Sequence, residues 1–152
     1  MGRSLTASDY RALAELRHQI RKFLHFSEQA ARRAGLEPRQ HQLMLSLKGL
    51  PQGMRPSIGE LAERLLIQHH SAVELVNRLA KGGYVQRDRA GEDRRAVLLS
   101  LTRKGERILR ELSLDHRAEL RVQGPALAAA LRRTIQLSKN RKGPFSQAGP
   151  KT

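Results

Sequence analysis

The spacing of apolar residues changes once along this chain, immediately after a pair of glycines. Before Gly82 and Gly83 the apolar residues recur at i, i+3, i+4 and i+7, which is typical of a helix that buries one face. They are Ala72, Leu75, Val76 and Leu79. After the glycines, every second residue of one stretch is apolar, which indicates a half-buried strand. These residues are Val97, Leu99 and Leu101. The chain must therefore place strands directly after a helix that the glycines end.

A second short helix is predicted just before this one. Ser57 begins the stretch SIGE, in which a serine and a glutamate three residues later form a capping box at a helix start. The helix that follows should bury Ile58, Leu61, Ala62 and Leu65. Two short helices joined by a turn, the second with a polar outer face, are what a helix-turn-helix requires.

The residues after the helix-turn-helix predict a β-hairpin. Its first strand is Tyr84, Val85 and QRDR, its turn is AGED, and its second strand carries the alternating residues. A hairpin beside a recognition helix is a wing, and arginines at its tip can enter a narrow minor groove. Four arginines and one acid lie near this tip: Arg87, Arg89, Asp93, Arg94 and Arg95.

The acid at this tip has two interpretations. Asp93 is two residues from Arg95, so its carboxylate can orient that guanidinium before DNA arrives. Alternatively, Asp93 and the arginines form a solvated turn with an incidental ion pair. The position directly after a helix-turn-helix favours the wing.

Long helices flank this centre. Residues 8–34 form an amphipathic helix, Pro38 opens a second one, and Thr102 is placed to cap a helix that Gly124 and Pro125 break. A final helix carries Leu127, Leu131 and Ile135, and residues 138–152 are a basic tail without core residues, predicted to be disordered. The sequence predicts one domain over residues 1–137, mainly α with a small β-hairpin (α+β).

Charge narrows the choice of partners. Lys and Arg number 29 against 14 Asp and Glu, a net charge of +15. Such an excess attracts polyanions, which makes nucleic acid the leading partner and an anionic membrane surface the next. No stretch approaches the ~18 consecutive apolar residues of a membrane span, and the N-terminus lacks a signal peptide's apolar centre, so we expect a cytoplasmic protein.

The sequence contains few features that would support catalysis or metal binding. The chain has no cysteine, which removes thiolate nucleophiles and sulfur-based zinc sites. Its six histidines show no i, i+4 pair of the helical zinc-site kind. We expect no enzyme activity, no cofactor and no metal.

The wing region resembles the MarR family of winged-helix transcription regulators. The family's pattern Asp-x-Arg, three residues, Leu-x-Leu-Thr is met by Asp93, Arg95, Leu99, Leu101 and Thr102. The segments IGELAERL and NRLAKGGYV are also similar to the family, and the order of elements matches from about Ser8 to Ile135. The resemblance implies a winged helix-turn-helix at residues 38–102, flanked by dimerisation helices at 8–34 and 103–137.

The same resemblance implies a function. Family members are homodimers that bind pseudo-palindromic operators in double-stranded DNA, mostly as repressors released by a small-molecule effector. Phe23, Phe26 and His41 are candidates for the effector pocket, although residues of this kind are more often ordinary core. Whether regulation is negative, and whether an effector exists, remain open at this point.

If the second helix of the helix-turn-helix enters the major groove, its outward residues contact DNA. They are Gln68, His69, His70, Ser71, Val73, Glu74, Asn77 and Arg78. Two positions depart from the family: Gln68 stands where many relatives carry a Ser or Thr cap, and Glu74 where a basic or small residue is common. Glu74 either accepts from cytosine or pairs with Arg78 at i+4.

A protein that coats DNA without sequence preference is the alternative function. The net charge and the basic tail would suit it, because phosphate contacts alone give strong, salt-sensitive and sequence-independent binding.

Overall fold

The structure, a computed structural model, describes residues 4–89 and 97–139. Within these ranges the chain forms five helices and a two-stranded antiparallel hairpin, in the order α1 (Ala7–Arg33), α2 (Pro38–Lys48), α3 (Ile58–Leu65), α4 (His69–Lys81), β1 (Val85–Arg89), β2 (Val97–Leu101) and α5 (Arg103–Lys139). The predicted fold class, mainly α with a small β-hairpin, is confirmed.

The chain divides into two compact units. One runs from Phe26 to Arg117 and holds α2, α3, α4, both strands and the adjoining parts of α1 and α5. The other combines the residues up to His25 with those from Ala118 onward, the outer parts of the two long helices. A single domain over residues 1–137 stays a prediction.

Helices α2, α3 and α4 pack around one apolar core in the unit from Phe26 to Arg117. Its fully buried side chains include Leu43, Met44, Leu61, Val76 and Leu79. The face predicted for α4 is buried throughout, and Leu61 and Ala62 of α3 are buried as predicted. Each such leucine contributes about 1.5–3 kcal/mol by leaving water, so this core fixes the position of α4.

Capping hydrogen bonds define the start and the end of the helix-turn-helix. The hydroxyl of Ser57 accepts from the Glu60 N–H at 3.3 Å, as a capping residue should. The predicted reciprocal bond is replaced, because the Ser57 N–H donates to the Arg55 carbonyl at 2.8 Å. At the end of α4, Gly83 has φ +77°, and the Tyr84 N–H reaches back to the Leu79 carbonyl at 2.9 Å, which forms a Schellman motif.

The hairpin is anchored at its base. Val85 pairs with Leu101 and Arg89 with Val97, and Leu98 makes a further bridge to Ser57. The Thr102 hydroxyl donates to the Gly83 carbonyl at 2.6 Å and accepts from the Gly105 N–H at 3.0 Å. Thr102 therefore caps α5, as predicted, and also ties that helix to the end of α4.

The predicted break at Gly124 and Pro125 is wrong, since α5 continues through both residues to Lys139. A proline in a helix clashes with the residue before it and with the carbonyl four residues back, and it leaves that carbonyl unpaired. Here the preceding residue is a glycine without a Cβ, and the carbonyl four residues back belongs to exposed Arg121, where water can satisfy it. The predicted disordered tail does not begin at Ser138, because Ser138 and Lys139 are helical; residues 140–152 lie outside the described residues.

Candidate nucleic-acid interface

The outward face of α4, together with its N-cap residue Gln68, carries the helix residues predicted to contact DNA. Gln68, His69, His70, Glu74, Asn77 and Arg78 are exposed, and Ser71 and Val73 are half-buried. The opposite face of α4 is locked into the core. A rigid helix with a polar outer face is suited to reading base edges, because its side chains start from fixed positions.

The turn that precedes α4 contains an unusual residue. Leu66 has φ 55° and a left-handed conformation, which costs a residue with a Cβ about 1–2 kcal/mol. The conformation lets the Ile67 N–H bond to the Ala62 carbonyl at 3.1 Å, and it leaves the Leu66 side chain 92% exposed. The sequence gives no signal for this, since glycine is the usual residue at such a turn.

Gln68 is the N-cap of α4 and contributes no side-chain hydrogen bond to it in the described part of the chain. A Ser or Thr at this position would occupy one of the first N–H groups of the helix. The Gln68 side chain therefore does not occupy the first N–H groups of α4, and an anionic group can accept hydrogen bonds from such groups at a helix start.

Arg78 makes an ion pair that the sequence did not indicate. Its Nη1 donates to Oε2 of Glu37, the N-cap residue of α2, at 3.0 Å. Glu74, the partner suggested by i, i+4 spacing, is instead exposed on the outer face. Because the side chains of both Arg78 and Glu37 are more than half exposed, the pair adds at most about 1 kcal/mol.

Arg87 contacts helix α4. It donates from Nη2 to the side-chain oxygen of Asn77 on α4. On the opposite face of the hairpin, the Ser100 hydroxyl donates to the Asp88 carboxylate at 2.8 Å. Of the other predicted wing residues, Arg89 ends β1 and pairs with Val97 through its backbone, whereas Asp93, Arg94 and Arg95 lie outside the described residues.

Two of the three effector candidates belong to an aromatic cluster. The ring of His116 lies between Phe26, at a centroid distance of 5.4 Å, and His41, at 5.0 Å. Its Nδ1 donates to the Leu112 carbonyl at 2.6 Å, and its Nε2 lies 2.7 Å from the Ser27 hydroxyl, within hydrogen-bond distance. His41 is 1% exposed, and burial, followed by the proximity of His116, lowers its pKa to about 4.

Phe23, the third candidate, is half-buried in the other unit. The sequence missed His116 and Ser27, which are 89 residues apart in the chain and follow no local pattern. In the described residues of α1 and α5, no regular spacing in the sequence indicates that Ser27 and His116 are in contact.

A cavity of about 600 Å³ opens between α2 and the first turns of α5. Leu45 and Leu109 supply apolar walls, and Lys48 donates to Glu106 at 2.8 Å across the rim. The remaining lining residues are Arg103, Arg107, Arg110 and Ser113. Four cationic side chains and one carboxylate around aliphatic walls would suit an amphipathic anion.

Residues 4–89 and 97–139 contain neither a cluster of metal-binding side chains nor a membrane-spanning helix. No group of three or more His, Asp or Glu side chains there could hold a metal ion. Nor does any helix in that part of the chain have the length and apolar character needed to cross a membrane.

Comparison with known proteins agrees with the geometry. The sequence profile of the MarR family matches residues 34–96. A MarR family transcriptional regulator from Streptomyces coelicolor, AbsC, is 23% identical with a TM-score of 0.70, over 93% of this chain and 94% of that one. The YusO protein of Bacillus subtilis is 22% identical with a TM-score of 0.61, over 89% and 99%.

A mutant of MepR from S. aureus, solved bound to an oligodeoxyribonucleotide, is 14% identical with a TM-score of 0.61, over 91% of this chain and 96% of that one. No match was found among curated protein sequences. The profile match covers the helix-turn-helix, and the shared fold extends over most of the chain. This chain therefore resembles the MarR family of winged helix-turn-helix transcription regulators, in sequence over residues 34–96 and in fold over most of its length.

Proposed function

We propose that this protein is a sequence-specific DNA-binding transcription regulator that acts as a homodimer on a pseudo-palindromic operator. The observation that carries the proposal is the outer face of α4, polar and exposed on a helix whose other face is fully packed. Base-specific contacts need side chains held in this way. The net charge of +15 supplies the attraction to phosphate that any DNA-binding protein requires.

In this proposal α4 enters the major groove and the hairpin lies over the adjacent minor groove. His69 and His70 stand at the end of α4 that approaches the bases, and Gln68 leaves the first N–H groups open to phosphate. A mutant of MepR, a protein of the same fold, was solved bound to an oligodeoxyribonucleotide, which supports DNA binding by this fold. The predicted wing contacts of Arg89, Asp93, Arg94 and Arg95 remain part of the proposal.

Self-association rests on exposed apolar side chains of the unit that holds the outer parts of α1 and α5. In the single chain, Tyr10 is 60%, Val122 73% and Leu131 47% exposed. Leaving such side chains in water forgoes about 25 cal/mol per Å² of apolar surface. A second copy of the same helices would cover them, which is the dimer that the family resemblance implies.

For an effector, the cavity between α2 and α5 is better supported than Phe23, Phe26 and His41. His41 is buried against His116, so a ligand would have to displace a packed ring. The cavity lined by Leu45, Leu109 and Arg110 needs no such displacement. We propose that an organic anion with an apolar body binds there and releases the protein from DNA, and that the protein acts as a repressor.

Selection of binding sites from fragmented genomic DNA at physiological salt tests the central proposal. A regulator should enrich one pseudo-palindrome with half-sites about one helical turn apart. Affinity for that site should exceed affinity for random DNA by several kcal/mol. Uniform, salt-sensitive binding of all fragments would instead favour a DNA-coating protein. A reporter gene behind the selected site then distinguishes repression from activation.

A further inference from the structure

The register of the hairpin decides where Arg87 points. Arg87 pairs with Leu99, and Val85 pairs with Leu101; Val85 and Leu99 are 2% and 3% exposed. Since alternate residues of a strand share a face, Arg87 lies on the face that the hairpin turns toward the helices. Its guanidinium extends beyond the buried residues of this face and contacts Asn77, an exposed residue of α4.

This contact fixes the orientation of the Asn77 amide. A guanidinium only donates hydrogen bonds, so it selects the amide oxygen, and the amide NH₂ group must point elsewhere. Without such a partner an asparagine can rotate its amide and present either an acceptor or donors. A charge-assisted bond to arginine is stronger than a neutral one, and rotating the amide would break it.

We propose that Arg87 is a positioning residue that makes Asn77 a hydrogen-bond donor toward DNA. This inference rests on the proposed function, since it concerns how α4 reads the major groove. In the major groove the O6 of guanine and the O4 of thymine accept hydrogen bonds, whereas adenine and cytosine carry amino donors at the same ring positions; the N7 of both purines also accepts and does not distinguish them. Each half-site should accordingly contain one position at which Asn77 prefers a keto base on the strand that it faces.

Arg87 should affect DNA binding differently from the arginines expected at the hairpin tip. A phosphate-binding arginine changes affinity for all sequences about equally. Arg87, acting through Asn77, should change the preference at one base position. Its loss also removes one positive charge, so a modest uniform decrease in affinity is expected in addition.

Selection from a library with randomised half-sites, read by sequencing, tests this. The wild type, Asn77→Ala, Arg87→Met and the double variant would be compared, with Gln86→Ala as a control on the opposite face of the same strand. The wild type should prefer keto over amino bases at one position by about fivefold or more, the lower range for a good base contact. Asn77→Ala should remove the preference there, and Arg87→Met should relax it and admit adenine.

Other positions should keep their preferences in Arg87→Met, the double variant should match Asn77→Ala at the affected position, and Gln86→Ala should resemble the wild type. An unchanged keto preference in Arg87→Met, or only a uniform loss of affinity, would overturn the inference. So would a wild-type motif that Asn77→Ala leaves intact, although the proposed function would then survive. If the wild type enriches no motif, the proposed function itself fails and this inference with it.

Discussion

The imidazole of His41, on α2, lies 5.0 Å from that of His116, on α5, measured between ring centroids, with 44° between the ring planes. His116 is held in place by the Ser27 hydroxyl of α1 and by the Leu112 carbonyl. Three helices thus meet at two histidines, one of them fully buried. Because a buried imidazole is stable only in its neutral form, this cluster connects the stability of the fold to pH.

The first prediction is a loss of stability in mild acid. Burial lowers the pKa of folded His41 to about 4, below an unfolded value of about 6.5, so the unfolded chain binds the proton more readily. The contribution is complete above the unfolded pKa and is lost as the pH falls toward the folded pKa. We expect about 2 kcal/mol less free energy of unfolding at pH 5 than at pH 7.5 from this group.

Urea denaturation of the wild type and His41→Gln at both pH values measures this effect. The variant is expected to be less stable at neutral pH but to lack this part of the pH dependence. His69→Gln, which alters an exposed histidine, serves as the control and should keep the wild-type slope. Equal slopes for wild type and His41→Gln would show that His41 is not the titrating group.

The left-handed conformation of Leu66 predicts a stabilising substitution. Leu66→Gly removes a strain of about 1–2 kcal/mol, offset in part by the greater flexibility of glycine in the unfolded chain. Little burial is lost, because the side chain is 92% exposed. We expect a net gain of about 0.5–1 kcal/mol by chemical denaturation.

Leu114→Gly is the matched control for Leu66→Gly. Leu114 is also an exposed leucine, but it lies within α5, where glycine should cost about 1 kcal/mol. A destabilised Leu66→Gly variant would mean that the Leu66 side chain makes contacts that outweigh the strain of its backbone.

The cavity between α2 and α5 predicts binding of an amphipathic anion. Anilinonaphthalene sulfonate, which carries an apolar body and one negative charge, should bind the folded protein saturably with increased fluorescence. Arg110→Glu should weaken that binding by about fivefold or more, which corresponds to about 1 kcal/mol. Arg132→Glu makes the same charge change in the other unit and should have little effect. Equal weakening by both would indicate a general electrostatic effect instead of a site.

The exposed apolar residues of α1 and α5 predict a dimer that a single charge can disrupt. Light scattering after size-exclusion chromatography should give twice the 17.1 kDa chain mass for the wild type. Leu131→Arg should give a monomer at micromolar concentration, because a buried unpaired charge costs several kcal/mol. Met54→Arg, at an exposed residue of the other unit, should remain dimeric. A dimeric Leu131→Arg variant would place the contact elsewhere.

The spacing of apolar residues and the capping patterns in the sequence predicted much of the fold. The buried face of α4, the start of α3 at Ser57, the hairpin and the cap at Thr102 all follow from spacing and capping chemistry that operate within a few residues. The break predicted at Pro125 failed for a local reason as well, since the effect of proline depends on the residue before it and on the exposure of the carbonyl that it leaves unpaired.

The residues on the outer face of α4 were predictable from the sequence, but the side chains that they contact were not. The sequence by itself determined which residues of α4 face outward, because a helix repeats every 3.6 residues and its apolar side must be buried. Only the tertiary structure decided that Arg78 pairs with Glu37, that Arg87 holds Asn77, and that His41 meets His116. These partners are between 10 and 75 residues apart in the chain, and no local rule relates side chains that packing alone brings together.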